Sequence, residues 1–136
     1  MSKRFVMPLA AICAAILLSA CAATGKTKQT IEDRVNGRLA AVLANDIEGA
    51  YKYLTPGYRS SVTLEQYRRF FENRKVKWTS AKYVESECDE SSCTVQVNVG
   101  FTIYGALPGV KSMNSSQYAD EKWIMVDGQW YMVPQQ

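Results

Sequence analysis

Hydrophobic residues occupy every second position over about ten residues near the middle of the chain. This alternation indicates a β-strand with one buried face, because successive side chains of a strand point to opposite sides of a sheet. The strand is predicted to run from Cys93 to Tyr104. Its buried face is formed by Val95, Val97, Val99, Phe101 and Ile103.

The segment before this strand predicts its hairpin partner. A strand over residues 76–88 and a turn over residues 89–92 place Cys88 opposite Cys93. A lysine then faces a valine within an otherwise apolar face, which indicates either a β-bulge or a lysine that extends its amine to solvent. The predicted pairs are Val84 with Val97, Trp78 with Ile103, and Lys82 with Val99.

A second hairpin is predicted near the C-terminus. Asp127-Gly128 is a dipeptide that two-residue hairpin turns prefer, because both of its residues tolerate a positive φ. The flanking strands are predicted over residues 118–126 and 129–133. This register pairs Trp123 with Met132 and Met125 with Trp130.

A polar segment without periodicity, residues 105–117, separates the two hairpins. It contains Pro108-Gly109 and several serine and asparagine residues, a composition that is typical of connections. We therefore expect a long loop here and four antiparallel strands in total.

Before the first strand, hydrophobic residues recur at three- and four-residue spacing, which is typical of amphipathic helices. Three helices are predicted, and each follows a residue that can cap it: Thr30, Asp46 or Thr63. Thr55-Pro56-Gly57 is expected to end the second helix. The helices are predicted over residues 31–45, 47–54 and 64–73.

The first 20 residues form a separate hydrophobic segment. Lys3 and Arg4 precede a mostly apolar run over residues 5–17, and the segment ends in Leu18-Ser19-Ala20-Cys21. This arrangement predicts a secretory signal peptide, which is too short and wrongly flanked to span a membrane.

The end of this segment resembles the lipobox of bacterial lipoproteins, in which a cysteine after a small residue is lipidated and becomes the new N-terminus. The resemblance implies that acyl chains on Cys21 anchor the protein to a membrane, with residues 21–29 as a tether and residues 30–136 as the folded domain. Ala22 and Ala23 follow in place of an aspartate, which implies the periplasmic side of the outer membrane rather than the inner membrane. The alternative is an ordinary cleaved signal peptide, with Cys21 as a bystander.

Removal of residues 1–20 changes the charge balance. The full chain has 16 Lys plus Arg and 13 Asp plus Glu, so the formal net charge of +3 falls to +1 when Lys3 and Arg4 are lost. No nucleic-acid partner is therefore expected. The basic positions 68, 69, 74, 75 and 77 are interpreted as a solvated helix end rather than a phosphate site.

Cys88 and Cys93 are the cysteines that remain if the leader is removed and Cys21 is acylated. In an oxidising compartment they are predicted to form a disulfide. A zinc site is not expected, because two cysteines in a chain without histidine need borrowed carboxylates to complete a tetrahedral site. No other metal site and no cofactor is predicted.

Helices followed by an antiparallel meander resemble the nuclear transport factor 2-like superfamily, in which a curved sheet wraps the helices into a cone. The resemblance covers residues 30–134, and its best matches are residues 44–58 and the hairpin Asp127-Gly128-Gln129-Trp130. It implies an α+β fold with a pocket between the helices and the concave face of the sheet. The superfamily includes dehydratases, isomerases, cyclases and many members that only bind or assemble.

Aromatic residues are the main candidates for the wall of such a pocket. Tyr51 and Tyr67 lie on the apolar stripes of their predicted helices, and Trp78 and Tyr104 lie on the predicted strands. Acid-base catalysis uses a group poised near neutrality. Without histidine, the remaining candidates are these tyrosines with Tyr118, Asp120 and Glu121, and no catalytic motif accompanies them.

We therefore expect a noncatalytic binding module for a small apolar ligand or an envelope protein, anchored in the membrane by its N-terminal lipid. One alternative is a pocket enzyme of the dehydratase or isomerase type that uses a tyrosine and a carboxylate. A second alternative is a structural subunit of an envelope assembly, and a homodimer formed through the sheet is a further option.

Overall fold

The structure is a computed structural model that describes residues 28–135. The predicted leader, Cys21 and most of the predicted tether lie outside these residues. Within them, helices precede one four-stranded antiparallel sheet with the strand order β1-β2-β3-β4, so the α+β prediction is confirmed. The elements are α1 Ile31–Leu43, α2 Ile47–Tyr51, α3 Pro56–Ser61, α4 Leu64–Glu72, β1 Val76–Cys88, β2 Ser92–Leu107, β3 Val110–Val126 and β4 Gln129–Val133.

The predicted capping residues begin the helices. Thr30 Oγ1 accepts a hydrogen bond from the Asp33 backbone N–H at 3.1 Å, and the Asp33 carboxylate accepts one from the Thr30 N–H, also at 3.1 Å. Asp46 and Thr63 cap α2 and α4. These bonds satisfy backbone donors that lack a partner within the helix. No helix among residues 28–135 has the length and apolar character needed to cross a membrane.

Residues 28–135 contain four helices where three were predicted. Thr55-Pro56-Gly57 does not mark the end of the second helix, because α2 already ends at Tyr51. Thr55 instead caps α3: its Oγ1 accepts a hydrogen bond from the Tyr58 N–H at 3.3 Å. Pro56 fits the first helical position, where its fixed φ is favourable and its missing N–H costs nothing.

The β1–β2 hairpin is confirmed, but its predicted register is correct only near the turn. Cys88 faces Cys93, and the two form the predicted disulfide. The register then shifts twice, at Val84 and at Thr79. These bulges keep Trp78, Ala81 and Tyr83 on the inner face of the sheet, whereas Val84 is 42% exposed. The corrected pairs are Tyr83 with Val97, Lys82 with Asn98, Ala81 with Val99, and Trp78 with Phe101.

Residues 105–117 do not form the predicted long loop. β2 continues to Leu107 and β3 begins at Val110, so only Pro108-Gly109 forms the connection, with Gly109 at a φ of 77°. These strands can consist of polar residues because neither of their faces is covered. No buried face therefore requires an apolar residue at every second position. We call residues 103–113 the hairpin arm; from residue 104 onward its side chains are exposed.

The C-terminal hairpin forms as predicted. Asp127 and Gly128 both have positive φ, at 49° and 79°, as a type I′ turn requires. Trp123 faces Met132, and Met125 faces Trp130.

The core lies between the inner face of the sheet and the helices. One cluster joins Val35 and Leu39 of α1 to the inner residues of β2 and to Trp123, which is fully buried. A second cluster joins α2 to α4 through Leu54 and Tyr67. Met132 packs against both clusters, so the last strand connects them.

Candidate functional site

A cavity of about 600 Å³ lies between α4 and the inner face of the sheet, and we call it the main cavity. α1 contributes one polar residue to its wall, and β4 contributes the side nearest the C-terminus. Its volume is typical of pockets that bind small molecules, which span about 300–1,000 Å³. The apolar part of the wall consists of Leu54, Tyr58, Val62, Tyr67, Phe70, Phe71, Trp78, Val97, Ala119, Met132 and Pro134.

The amphipathic pattern of α4 positions the helical side of this wall. Tyr67 is buried, and Phe71 follows it one turn later, with their ring centroids 4.8 Å apart. Residues four positions apart share a helix face, which accounts for this contact. Phe70 also lines the cavity, at its exposed edge, and is 61% exposed.

A buried ion pair forms the innermost polar part of the main cavity, whose lining also includes Gln66, Arg74, Asp120 and Gln135. Arg38 Nη1 donates a hydrogen bond to Glu121 Oε1 at 2.6 Å, and the Trp123 indole N–H donates to Glu121 Oε2 at 3.1 Å. Arg38 and Glu121 are 5% and 7% exposed. Both carboxylate oxygens of Glu121 therefore already have a hydrogen-bond donor.

The sequence analysis included Glu121 among the candidate acids but missed Arg38. The signal for Arg38 is its position, because it lies on the stripe of α1 that also carries Val35 and Leu39. A charged residue on an apolar stripe is buried only when it has a partner. The partner follows from strand alternation, since Glu121 lies two residues before the inward-facing Trp123.

The candidate acid-base groups do not assemble into a catalytic pair. Tyr118 is 66% exposed, and Asp120 lines the main cavity but is also exposed. Burial raises the pKa of Tyr67, so its hydroxyl stays protonated near neutrality. Among residues 28–135, no tyrosine hydroxyl donates a hydrogen bond to Glu121.

A second cavity of about 430 Å³, the side cavity, lies where the end of α1 approaches the start of β1. Phe71, Arg74 and Trp78 line both cavities. The Arg74 guanidinium stacks over the Phe70 and Phe71 rings, 4.4 and 4.3 Å from their centroids. Burial lowers its pKa, although an arginine remains cationic at neutral pH. Arg74 therefore faces cavities rather than a fully solvated helix end.

The four predicted pocket residues occupy three different places. Tyr67 and Trp78 line the main cavity, and Trp78 also lines the side cavity. Tyr104 lines only the side cavity. Tyr51 lies behind Tyr67, and its hydroxyl donates to the Val62 carbonyl at 2.6 Å, which makes it a support for the wall.

Comparisons with known proteins identify the fold. No protein-family description matches this sequence, and no curated protein matches it. A Campylobacter jejuni protein named as an NTF2-like transpeptidase superposes with a TM-score of 0.53 at 10% identity, covering 79% of this chain and 100% of that one. The chain has a nuclear transport factor 2-like fold.

Two further solved structures superpose on this chain. A Streptomyces avermitilis protein named as a dehydratase of the NTF2-like family has a TM-score of 0.51 at 10% identity, covering 76% of this chain and 92% of that one. A SEC-C motif protein from Rhodopseudomonas palustris has a TM-score of 0.59 at 18% identity, covering 77% and 76%. At such identities the likeness concerns the fold alone.

Proposed function

We propose that this chain is a noncatalytic binding module that takes a small, largely apolar ligand into the main cavity. Acyl chains on Cys21 would hold it at the periplasmic side of the outer membrane. The observation that supports binding is a cavity of about 600 Å³ whose wall is mostly aromatic and aliphatic and whose buried carboxylate is already neutralised.

The state of Glu121 favours binding over catalysis. A general base needs a carboxylate that is free to accept a proton from substrate, and a catalytic tyrosine needs a partner that lowers its pKa. Arg38 and Trp123 occupy both oxygens of Glu121, and burial moves the pKa of Tyr67 upward. The pocket-enzyme alternative therefore has less support than the binding module.

An envelope protein is a second candidate partner, and the hairpin arm is the observation that favours it. Leu107, Val110 and Met113 are 55%, 41% and 42% exposed there. Such side chains on neighbouring strands offer an apolar surface.

Ala119 offers a direct test of the main cavity. It lies on the inner face of β3 and lines the cavity, so Ala119→Leu should occupy ligand space without removing core contacts. Tyr67→Ala is a poorer test, because Tyr67 is buried core. Native mass spectrometry of protein extracted from its own membrane should show a bound small molecule in the wild type and a reduced bound fraction in Ala119→Leu.

Ala106→Leu serves as the matched control, because Ala106 is exposed on the hairpin arm. It should retain the bound molecule at the wild-type level. An unliganded wild type, or equal occupancy in Ala119→Leu and wild type, would contradict binding in the main cavity.

The lipid anchor has its own test. Cys21→Ser should move the protein from the membrane fraction to the soluble periplasmic fraction, because the acylated sulfur is lost and each buried methylene contributes about 0.8 kcal/mol to membrane binding. Cys13→Ser, within the predicted leader, is the control and should stay with membranes. Sedimentation of Cys21→Ser with membranes in high salt would refute the anchor.

A further inference from the structure

Phe71, Arg74 and Trp78 form a wall that the main and side cavities share. Arg74 is the charged member of this wall. Its cation stacks on Phe70 and Phe71, which holds it at the junction of the two cavities.

The two cavities differ in charge. In the main cavity, Arg38 neutralises Glu121, and the exposed Asp120 is a second carboxylate in the lining. The side cavity is lined by two cationic residues, Arg74 and Lys77, and no aspartate or glutamate is among its lining residues. The ion pairs found within residues 28–135 include neither Arg74 nor Lys77.

The Arg74 side chain is exposed overall, but the Phe70 and Phe71 rings remove its guanidinium partly from water, and no ion pair within residues 28–135 includes it. Burial lowers its pKa, which reports the cost of this desolvation. A carboxylate or a phosphate offsets that cost well, because its oxygens match the planar fork of guanidinium donors.

We propose that the two cavities together bind a single-chain amphiphile with an anionic head group, with the chain in the main cavity and the carboxylate or phosphate at Arg74 and Lys77. This inference rests on the proposed function and adds the chemical class of the ligand. The apolar wall of the main cavity selects the chain. Arg74, which lines both cavities, and Lys77, which lines the side cavity, select the head group.

Probes with the same chain and different head groups test this directly. The full-length chain carrying Cys21→Ser is used, so that no acyl group of its own competes for the cavity. Dodecanoate, dodecyl phosphate, dodecyl maltoside, dodecyltrimethylammonium and inorganic phosphate are titrated below their micelle concentrations, with Trp fluorescence and calorimetry as readouts. The anionic chains should bind about tenfold or more tightly than the neutral and cationic ones, since a charge-assisted pair contributes about 1.5–3 kcal/mol.

Arg74→Gln should weaken the binding of dodecanoate and dodecyl phosphate by about tenfold and leave the affinity for dodecyl maltoside unchanged. Arg69→Gln is the matched control, because Arg69 is exposed near the end of α4, five positions before Arg74, and lines neither cavity. Lys77→Gln, with the exposed Lys75→Gln as its control, gives a second measurement at an exposed position where folding is not at risk. Lys77→Gln should weaken the binding of the anionic probes severalfold.

The outcomes separate the ligand class from the binding function itself. Equal binding of anionic, neutral and cationic chains overturns the head-group site but leaves the binding module standing. If no probe with a dodecyl chain binds, both the head-group site and the binding module are overturned. Tight binding of inorganic phosphate that dodecyl chains do not improve also overturns the amphiphile, because the site then recognises a free anion. A preference between dodecanoate and dodecyl phosphate identifies the head group.

Discussion

Two parts of the same strand pair, β2 and β3, have the same hydrogen-bonded ladder but very different surroundings. Near Cys93, the inner face packs against α1 and reaches full burial at Val95, Val97 and Trp123. In the hairpin arm, residues 104–113 are exposed. Strand pairing therefore continues well beyond the region where hydrophobic burial supports it, and the stability of the domain should depend on the covered part alone.

The largest effect is expected from the covered part. Trp123→Ala should lower the free energy of unfolding by about 4 kcal/mol, because it empties a fully buried site and removes a donor to Glu121. Urea denaturation followed by circular dichroism measures this loss. A change below about 1 kcal/mol would contradict the contrast between the two parts.

Breaking the buried ion pair should have the next largest effect. Glu121→Ala leaves the Arg38 guanidinium buried without its anion, at an expected cost of about 3 kcal/mol. The double variant Arg38→Met with Glu121→Met removes both charges and should be closer to wild type. If the double variant is as unstable as Glu121→Ala, the unpaired charge is not the cause.

The disulfide should contribute less, although it lies in the covered part. Cys88→Ala with Cys93→Ala should fold and lose about 2 kcal/mol, since a short closed loop restrains the unfolded chain only modestly. Thermal denaturation with and without reductant provides the measurement. Complete unfolding of the double variant at room temperature would show that the bridge is essential to the fold.

The smallest effect is expected in the hairpin arm. Leu107→Ser replaces an apolar side chain that is 55% exposed, so the change should stay within about 0.5 kcal/mol. The measurement is repeated at two protein concentrations. A loss above about 1 kcal/mol that grows with concentration would show that a second copy covers the arm in solution.

The same contrast explains what the sequence could predict. Alternation located the inner face of β2, because burial on one side requires it. No such constraint acts on the arm, where Ser112 pairs with Tyr104 despite the loop-like composition of this segment. The turn residues were the usable signal there, since Pro108-Gly109 marks the actual connection.

Other features of the fold depend on tertiary contacts. The bulges at Val84 and Thr79 follow from the need to keep Trp78 and Tyr83 inward, and the local pattern indicated only one irregularity. The short α3 contains no fully buried residue, so it has no apolar stripe to reveal it. For the site, Tyr67 and Trp78 were identifiable from the sequence as inward aromatic residues. The burial of Arg38 depends on the contact between α1 and β3, which brings Glu121 to it.

The contact between the end of α2 and β4 determines when during synthesis the domain can be completed. The Thr55 N–H donates to the Met132 carbonyl at 3.1 Å, and the Met132 N–H donates to the Tyr53 carbonyl at 2.8 Å. The partners lie nearly 80 positions apart in sequence. A nascent chain that has not yet emerged beyond residue 132 has every helix but no wall on this side of the main cavity. The proposed binding is thus a property that the growing chain would acquire last, and we expect a product truncated before Met132 to lack it.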